Sequence, residues 1–250
     1  MRNFLFLAIL ACTVSTATMA DGISFEVGAY AWQENISGDI TWDGFSSNID
    51  VEKDLGFDDE TNNVFYAVLE HSIPFIPNIR VQQTDLDQSA TDNAIFDFGG
   101  ISFSGPIRSN IDLSHTDITL YYEALDDRIS LDLGVTARLV NDVSVEVTNI
   151  TTGATESVDA HGVLALLYVA ARYDLPQTGF YIGADINGLD DGLGINDVSL
   201  FDYRISLGYE RANGLGVEAG FRRLELDYDD EDDKADLTVD GAYIGVFYRF

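Results

Sequence analysis

The side chains in this sequence that could do chemistry are carboxylates and a few imidazoles. Asp85-Leu86-Asp87 sets two carboxylates two positions apart, and Asp159-Ala160-His161 sets an acid beside an imidazole. Pairs of this kind can hold a water and take its proton, as hydrolytic general-base chemistry requires. On a strand, residues two apart share a face, so the neighbours decide what such a pair sees. Asp159 and His161 share the face of Val163 and Ala165, and Asp85 shares that of Val81, so neither pair is expected in a polar site. Ser114 and His115 are adjacent and point to opposite faces, which weakens a Ser–His nucleophile. The three histidines, His71, His115 and His161, are scattered and the single cysteine is Cys12, so no transition-metal site is expected. The expectation is no catalytic residue and no cofactor.

The remaining acids are crowded. The chain carries 43 Asp and Glu against 13 Lys and Arg, a formal net charge of −30. Nucleic acid is thereby excluded as a partner, because phosphate binding needs a basic surface. Asp54, Asp58, Asp59 and Glu60 form one cluster, and Asp227 through Asp236 form another. Hard cations such as Ca²⁺ favour oxygen clusters, so Asp229, Asp230, Glu231, Asp232 and Asp233 are a candidate divalent-cation site. No loop carries Asp at fixed alternate positions followed by Gly and Glu, and a solvated acidic surface is the competing reading.

The elements that must position these groups read as strands with period two. Ile129, Leu131, Leu133, Val135, Ala137 and Leu139 make an apolar row opposite Ser130, Asp132, Gly134, Thr136 and Arg138. A helix would spread these apolar residues around its axis. Segments 180–187, 201–210 and 215–222 repeat the pattern, with weaker candidates at 23–32, 63–71, 79–86, 112–122 and 161–173. The stretch 163–171 is apolar on both faces, and its strand-like neighbours and Pro176 favour sheet.

Connections alternate in length. Segments 72–78, 124–128, 176–179 and 211–214 are short and rich in turn-forming residues. Segments 33–62, 87–111, 140–160, 189–198 and 227–237 are long and polar. Short turns at one end and long loops at the other are the arrangement of transmembrane β-barrels. The fold expected is therefore all-β: one antiparallel transmembrane β-barrel of about ten strands, with short periplasmic turns and long acidic extracellular loops. Eight or twelve strands result if 40–51 or 95–103 pair differently, and those segments are expected to extend hairpins above the membrane. The mean hydropathy of +0.02 excludes a polytopic helical membrane protein and is compatible with a barrel. Tyr30, Trp32, Tyr121, Tyr122, Tyr173, Phe180, Tyr209 and Tyr248 fall near strand ends, where aromatic rings suit the bilayer interface.

The two ends of the sequence agree with export to an envelope. Arg2, the apolar run 4–11 and the small residues Thr18-Met19-Ala20 have the form of a secretory leader, too short to span a bilayer. Residues 1–20 are expected to be removed, leaving 21–250 as a single barrel domain. A competing cut before Cys12 would make a lipoprotein. At the other end Phe250, Tyr248, Val246, Ile244 and Ala242 share one face of a final strand, opposite Gly241, Gly245 and Arg249. Tyr248 and Phe250 have the form of the C-terminal signal that the barrel-assembly machinery reads.

Glu70-His71-Ser72-Ile73-Pro74-Phe75-Ile76-Pro77-Asn78-Ile79-Arg80 resembles the first periplasmic turn of a family of small proteobacterial outer-membrane β-barrel proteins. Residues 112–123 resemble its fourth strand, and the last strand also fits. The resemblance spans most of 21–250. It implies fold and an integral outer-membrane location, with lipid and lipopolysaccharide as surroundings, and no ligand or activity.

Within such a barrel the inward rows carry both signs: Arg138, Arg204, Arg222 and Arg249 beside Asp132, Asp185, Asp202 and Glu218. Charges taken from water must be paired or they cost several kcal/mol each, and about ten strands leave an interior that side chains can largely fill. A lumen plugged by ion pairs among Asp132, Arg138, Asp185, Asp202, Arg204, Glu218 and Arg222 is therefore expected, with inward glycines making room for the long side chains. The function expected is a non-enzymatic envelope-structural or surface-interaction role through the acidic loops. The alternatives are a narrow solute channel, an outer-membrane hydrolase and a soluble periplasmic barrel.

Overall fold

The structure, a computed structural model, describes residues 22–42, 48–190, 198–230 and 233–250. The expected leader and Cys12 lie outside the described residues. The described residues form thirteen strands. They are β1 (Ile23–Thr41), β2 (Ile49–Asp50), β3 (Glu60–His71), β4 (Asn78–Thr84), β5 (Asp87–Phe98), β6 (Ile101–Asp112), β7 (His115–Asp126), β8 (Ile129–Asn149), β9 (Thr155–Asp174), β10 (Phe180–Leu189), β11 (Val198–Glu210), β12 (Leu215–Asp230) and β13 (Asp233–Arg249).

Ten of these close a ring in which every pairing is antiparallel: β1, β3, β4, β7, β8, β9, β10, β11, β12, β13 and back to β1. The seam between β13 and β1 runs from Glu26–Arg249 to Thr41–Lys234. Phe250 extends it, exchanging 2.9 Å backbone hydrogen bonds with Phe25 while the two rings meet edge-on at 5.1 Å. Closure leaves the wall without an unpaired strand edge at this level, which is what a sheet needs when its outside cannot hydrogen-bond to water.

Which face looks out follows from the alternation. Ile244 is 68% exposed and Val135 54%, while the adjacent Tyr243 and Thr136 are buried. The same inversion holds for Ile205 and Leu207 outside against Asp202 and Ser206 inside, and for Val217 and Phe221 outside against Glu218 and Arg222 inside. In 163–171 both faces are apolar because both are used: Val163, Leu167 and Val169 face out and Leu166 is buried in the lumen. The exterior of the barrel is thus a continuous apolar belt and its interior is the polar side.

The short connections 72–77, 127–128, 175–179 and 211–214 lie at one end with Phe25 and Phe250, here called the turn end. At the other, loop end, the segments expected as loops are in large part strand. β1 continues to Thr41 and β13 starts at Asp233, because the alternation persists there with polar residues outward and Ile36, Ile40, Leu237 and Val239 buried inward. Residues 87–112 form the hairpin β5–β6, which leaves the wall, pairs with the upper part of β8 and places Phe96, Phe98, Phe103 and Ile107 in a core with Val51, Leu55 and Phe57. This hairpin and the segment 49–57 cap the loop end. A bulge between Val140 and Val143 of β8 inverts the strand's faces at that height, so odd-numbered Val145 and Val147 turn inward where Arg138 did below.

Candidate functional site

Inside the ring the polar rows meet as a constriction built on two arginines and two aspartates. Arg138 of β8 donates from Nε and Nη2 to Asp117 of β7 at 2.8 and 2.7 Å, a two-pronged contact, and from Nη2 to Asp202 of β11 at 2.6 Å. Arg222 of β12 donates from Nε and Nη2 to Asp202 at 2.9 and 2.6 Å. The Nη1 of Arg222 reaches Tyr30 Oη at 3.1 Å and Thr84 Oγ1 at 3.2 Å, and its guanidinium lies 4.6 Å from the centre of the Trp32 ring. All four charged side chains are almost wholly buried. Their formal charges cancel, two positive against two negative, which is the condition for holding such groups out of water.

A second cluster lies towards the turn end. Arg204 joins Asp185 at 2.9 Å and Glu218 at 3.1 Å, and Glu218 accepts a hydrogen bond from Tyr181 Oη at 3.0 Å. Thr119, Thr136 and Asn187 link the inner faces of β7, β8 and β10 at 2.8 and 2.6 Å. Near the turn end Arg249 pairs with Glu26 at 2.7 Å and Arg172 with Glu210 at 2.9 Å.

Of the residues singled out from sequence, Arg138, Asp185, Asp202, Arg204, Glu218 and Arg222 face the lumen and are brought together in these two clusters. Asp132 faces inward without an ion pair. It lines a polar cavity of about 230 Å³ at the turn end, with Glu70 and Glu123, and one of its carboxylate oxygens is unpartnered among the described residues. The row that places Arg138 inward continues to Asp132, and Arg80, which lines the same cavity, donates instead to Gln82 at 2.8 Å and lies 5.0 Å from the centre of the Tyr66 ring. Asp117, Tyr30, Trp32 and Thr84 complete the constriction; the sequence did not mark Asp117 and Thr84, and it placed Tyr30 and Trp32 at the bilayer interface. Asp117 was legible, since it alternates with Thr119 and Tyr121 against Ile118, Leu120 and Tyr122. Tyr30, Trp32 and Tyr121 correct the interfacial reading of the aromatics: all three are buried inside, on the polar faces of β1 and β7, whereas Tyr122, Tyr173, Phe180 and Tyr209 are exposed on the exterior. The inward glycines make room for rings more than for arginines. A Cβ on Gly208 would lie 2.2 Å from the Tyr181 ring, and one on Gly216 would lie 2.0 Å from the Phe247 ring.

The candidate cation cluster is divided. Glu231 and Asp232 lie outside the described residues, and Asp229 is held by Lys234 at 2.9 Å. Among the described residues, three potential ligands converge only at His115, Asp117 and Asp202. Both acids there already serve arginines, so a metal ion would have to displace a guanidinium.

With the closed ring and its polar interior established, comparison with solved structures decides the fold class. The outer membrane protease OmpT from Escherichia coli superposes with a TM-score of 0.55 at 11% identity, covering 94% of this chain and 100% of that one. This chain has the fold of an outer-membrane β-barrel. The toluene transporter TodX of Pseudomonas putida also matches, at a TM-score of 0.36 and 10% identity, covering 92% of this chain and 90% of that one. So does Ail, the attachment invasion locus protein of Yersinia pestis, at 0.30 and 11%, covering 92% and 100%. No protein-family model matches the sequence, and no curated protein matches it.

The carboxylate and imidazole pairs of the sequence do not join the constriction, although the exposed Asp159 and His161 are among the residues that line a cavity of about 420 Å³ at the loop end. Leu86 is buried inward between Asp85 and Asp87. Asp159 and His161 alternate with Ala160 and Gly162, whose partners Val143 and Val140 are inward. Ser114 Oγ accepts from the Leu86 backbone N–H at 3.0 Å, and His115 is buried with its Nδ1 2.9 Å from Leu113 O.

Proposed function

We propose that this chain is an integral protein of the bacterial outer membrane that conducts no bulk solute, catalyses no reaction and acts in the envelope through its loop end. The observation that carries this reading is the charge-balanced constriction of Asp117, Arg138, Asp202 and Arg222, reinforced by Tyr30 and Thr84, so that six of the ten wall strands reach into the lumen. Opening it for a solute would separate buried ion pairs, at several kcal/mol for each ion. The apolar belt supports the lipid setting, since such a surface is stable only against acyl chains. The seam at Phe250 supports a role for Tyr248 and Phe250 in docking the last strand during assembly. The long loop-end strands carry their acids outward, where lipopolysaccharide with bridging divalent cations is the nearest partner.

Planar-bilayer recording of the purified, refolded protein tests the closed lumen. Silent bilayers are expected, and reproducible single-channel steps at neutral pH would replace this reading with that of a narrow channel. An enzymatic reading would require a peptide- or ester-cleaving activity that His161→Ala abolishes. Cell fractionation with heat-modifiable migration in SDS gels tests the location: recovery in an osmotic-shock fraction would place the protein in the periplasm instead.

A further inference from the structure

Above the constriction the lumen changes character. A cavity of about 420 Å³ opens at the loop end, within the size range of small-molecule sites, roughly 300–1,000 Å³. Its walls are largely apolar, with Trp42 and Phe98 beside Ile40, Val143, Val158, Leu200, Leu224 and Leu237, the last six contributed by β1, β8, β9, β11, β12 and β13. Its polar lining includes the part-buried Ser144 and Tyr228 and the exposed Asp159, His161 and Lys234, and the two polar side chains buried in it are His115 and Arg138. Each carries one nitrogen without a partner among the described residues, Nε2 of His115 and Nη1 of Arg138. Buried polar nitrogens left unpaired cost about 1–3 kcal/mol each, and elsewhere in this lumen the arginines and tyrosines are largely satisfied. The walls are apolar here because the β8 bulge turns Val143 and Val145 inward at the height where the strand below presents Arg138.

The chemistry of the two nitrogens defines what would fit. The Leu113 carbonyl can only accept, so His115 donates to it from Nδ1, and Nε2 of the neutral ring is an acceptor. Arg138 Nη1 is a donor. A hydroxyl answers both, because it can donate its proton and also accept. A carboxylate does not: it has no proton for Nε2, and it would bring an uncompensated charge onto a cluster whose two arginines are already balanced by Asp117 and Asp202. A hydrocarbon would fill the walls and leave both nitrogens bare. We propose that the loop-end cavity is a binding site for a small neutral molecule with an apolar body and a hydroxyl group, such as a phenol or a terpene-like alcohol, its hydroxyl directed to His115 and Arg138. This goes beyond a closed barrel and does not depend on it, since the cavity lies on the loop side of the constriction.

The test is isothermal titration calorimetry on the full folded barrel in detergent, with matched probes and empty micelles as the reference. 4-Bromophenol, bromobenzene and 4-bromobenzoate share one apolar body and differ at the polar position. Saturable one-site binding of 4-bromophenol is expected, about tenfold tighter than that of either of the other two, a factor equal to about 1.4 kcal/mol. His115→Phe should keep bromobenzene binding and erase the preference for the phenol. Leu224→Trp, which fills the cavity from the wall, should abolish binding of all three, with heat-modifiable migration confirming that each variant is folded. The bromine should appear in an anomalous difference map between His115 and the β12 wall. Partition into micelles alone, tighter binding of the benzoate, or phenol binding unaltered in folded Leu224→Trp would each overturn the proposal. Conductance of the bilayer leaves it untouched and bears only on the closed lumen.

Discussion

Asp202 is the carboxylate shared by both arginines of the constriction, and replacing it by Asn tests the ion-pair plug directly. Its carboxylate receives three charge-assisted hydrogen bonds, one from Arg138 and two from Arg222, at 2.6–2.9 Å. Asn is nearly isosteric, so packing is kept while one negative charge is lost. Two guanidiniums then face Asp117 alone, leaving a net buried positive charge. Breaking a buried pair by removing one partner costs about 3–5 kcal/mol. With a urea dependence of about 2 kcal/mol per M, the unfolding midpoint in detergent or lipid vesicles should fall by about 2 M. Trp32 fluorescence is a local reporter, because its ring lies 4.6 Å from the Arg222 guanidinium. Removing Arg222 as well, in Asp202→Asn/Arg222→Met, restores the balance with the Asp117–Arg138 pair intact. The double variant should therefore lose at least about 2 kcal/mol less than the sum of the singles. A single-variant loss below about 1 kcal/mol, or strict additivity, would mean that water solvates these charges and that the lumen is not sealed by them.

Other consequences are open to measurement. Gly216→Val should destabilise the barrel by about 1–3 kcal/mol through displacement of Phe247, read by urea unfolding; an unchanged midpoint would show that the ring is free to move. Deleting Phe250 removes the two backbone hydrogen bonds to Phe25 at the seam and should lower the heat-modifiable fraction recovered in the outer membrane. In the loop-end segment, Asp50 accepts from the Glu52 and Lys53 backbone N–H groups and pairs with the Lys53 ammonium, which holds its carboxyl below the usual range. Because the folded value is the lower one, this contribution is present above the ordinary carboxylate range and is lost as acid titrates the group. Amide exchange at Lys53, measured at constant chemical exchange rate, should accelerate in Asp50→Asn and below that range, and equal protection would show the turn to be held by other contacts.

Much of the fold was written in local alternation. The rows 129–139, 180–187, 201–210 and 215–222 each state a strand and which side is apolar, because a two-residue period leaves no freedom about the facing of neighbours. The short, turn-rich connections fixed the antiparallel order, and the apolar outer rows demanded closure. The presence of Arg138, Asp185, Asp202, Arg204, Glu218 and Arg222 on inward rows follows from the same period. Three things could not come from one strand at a time. Which arginine meets which acid depends on register and stagger around the ring, and so Asp117 joins the constriction while Asp132, on the same row as Arg138, shares a cavity with Arg80 without forming an ion pair. The aromatic rings of Tyr30, Trp32 and Tyr121 turn inward through their place in the alternation, which nearness to a strand end does not reveal. The apolar cavity above the plug exists because a single extra residue in β8 reverses its faces, and the consequence of a bulge appears only against the strands that pair on either side of it.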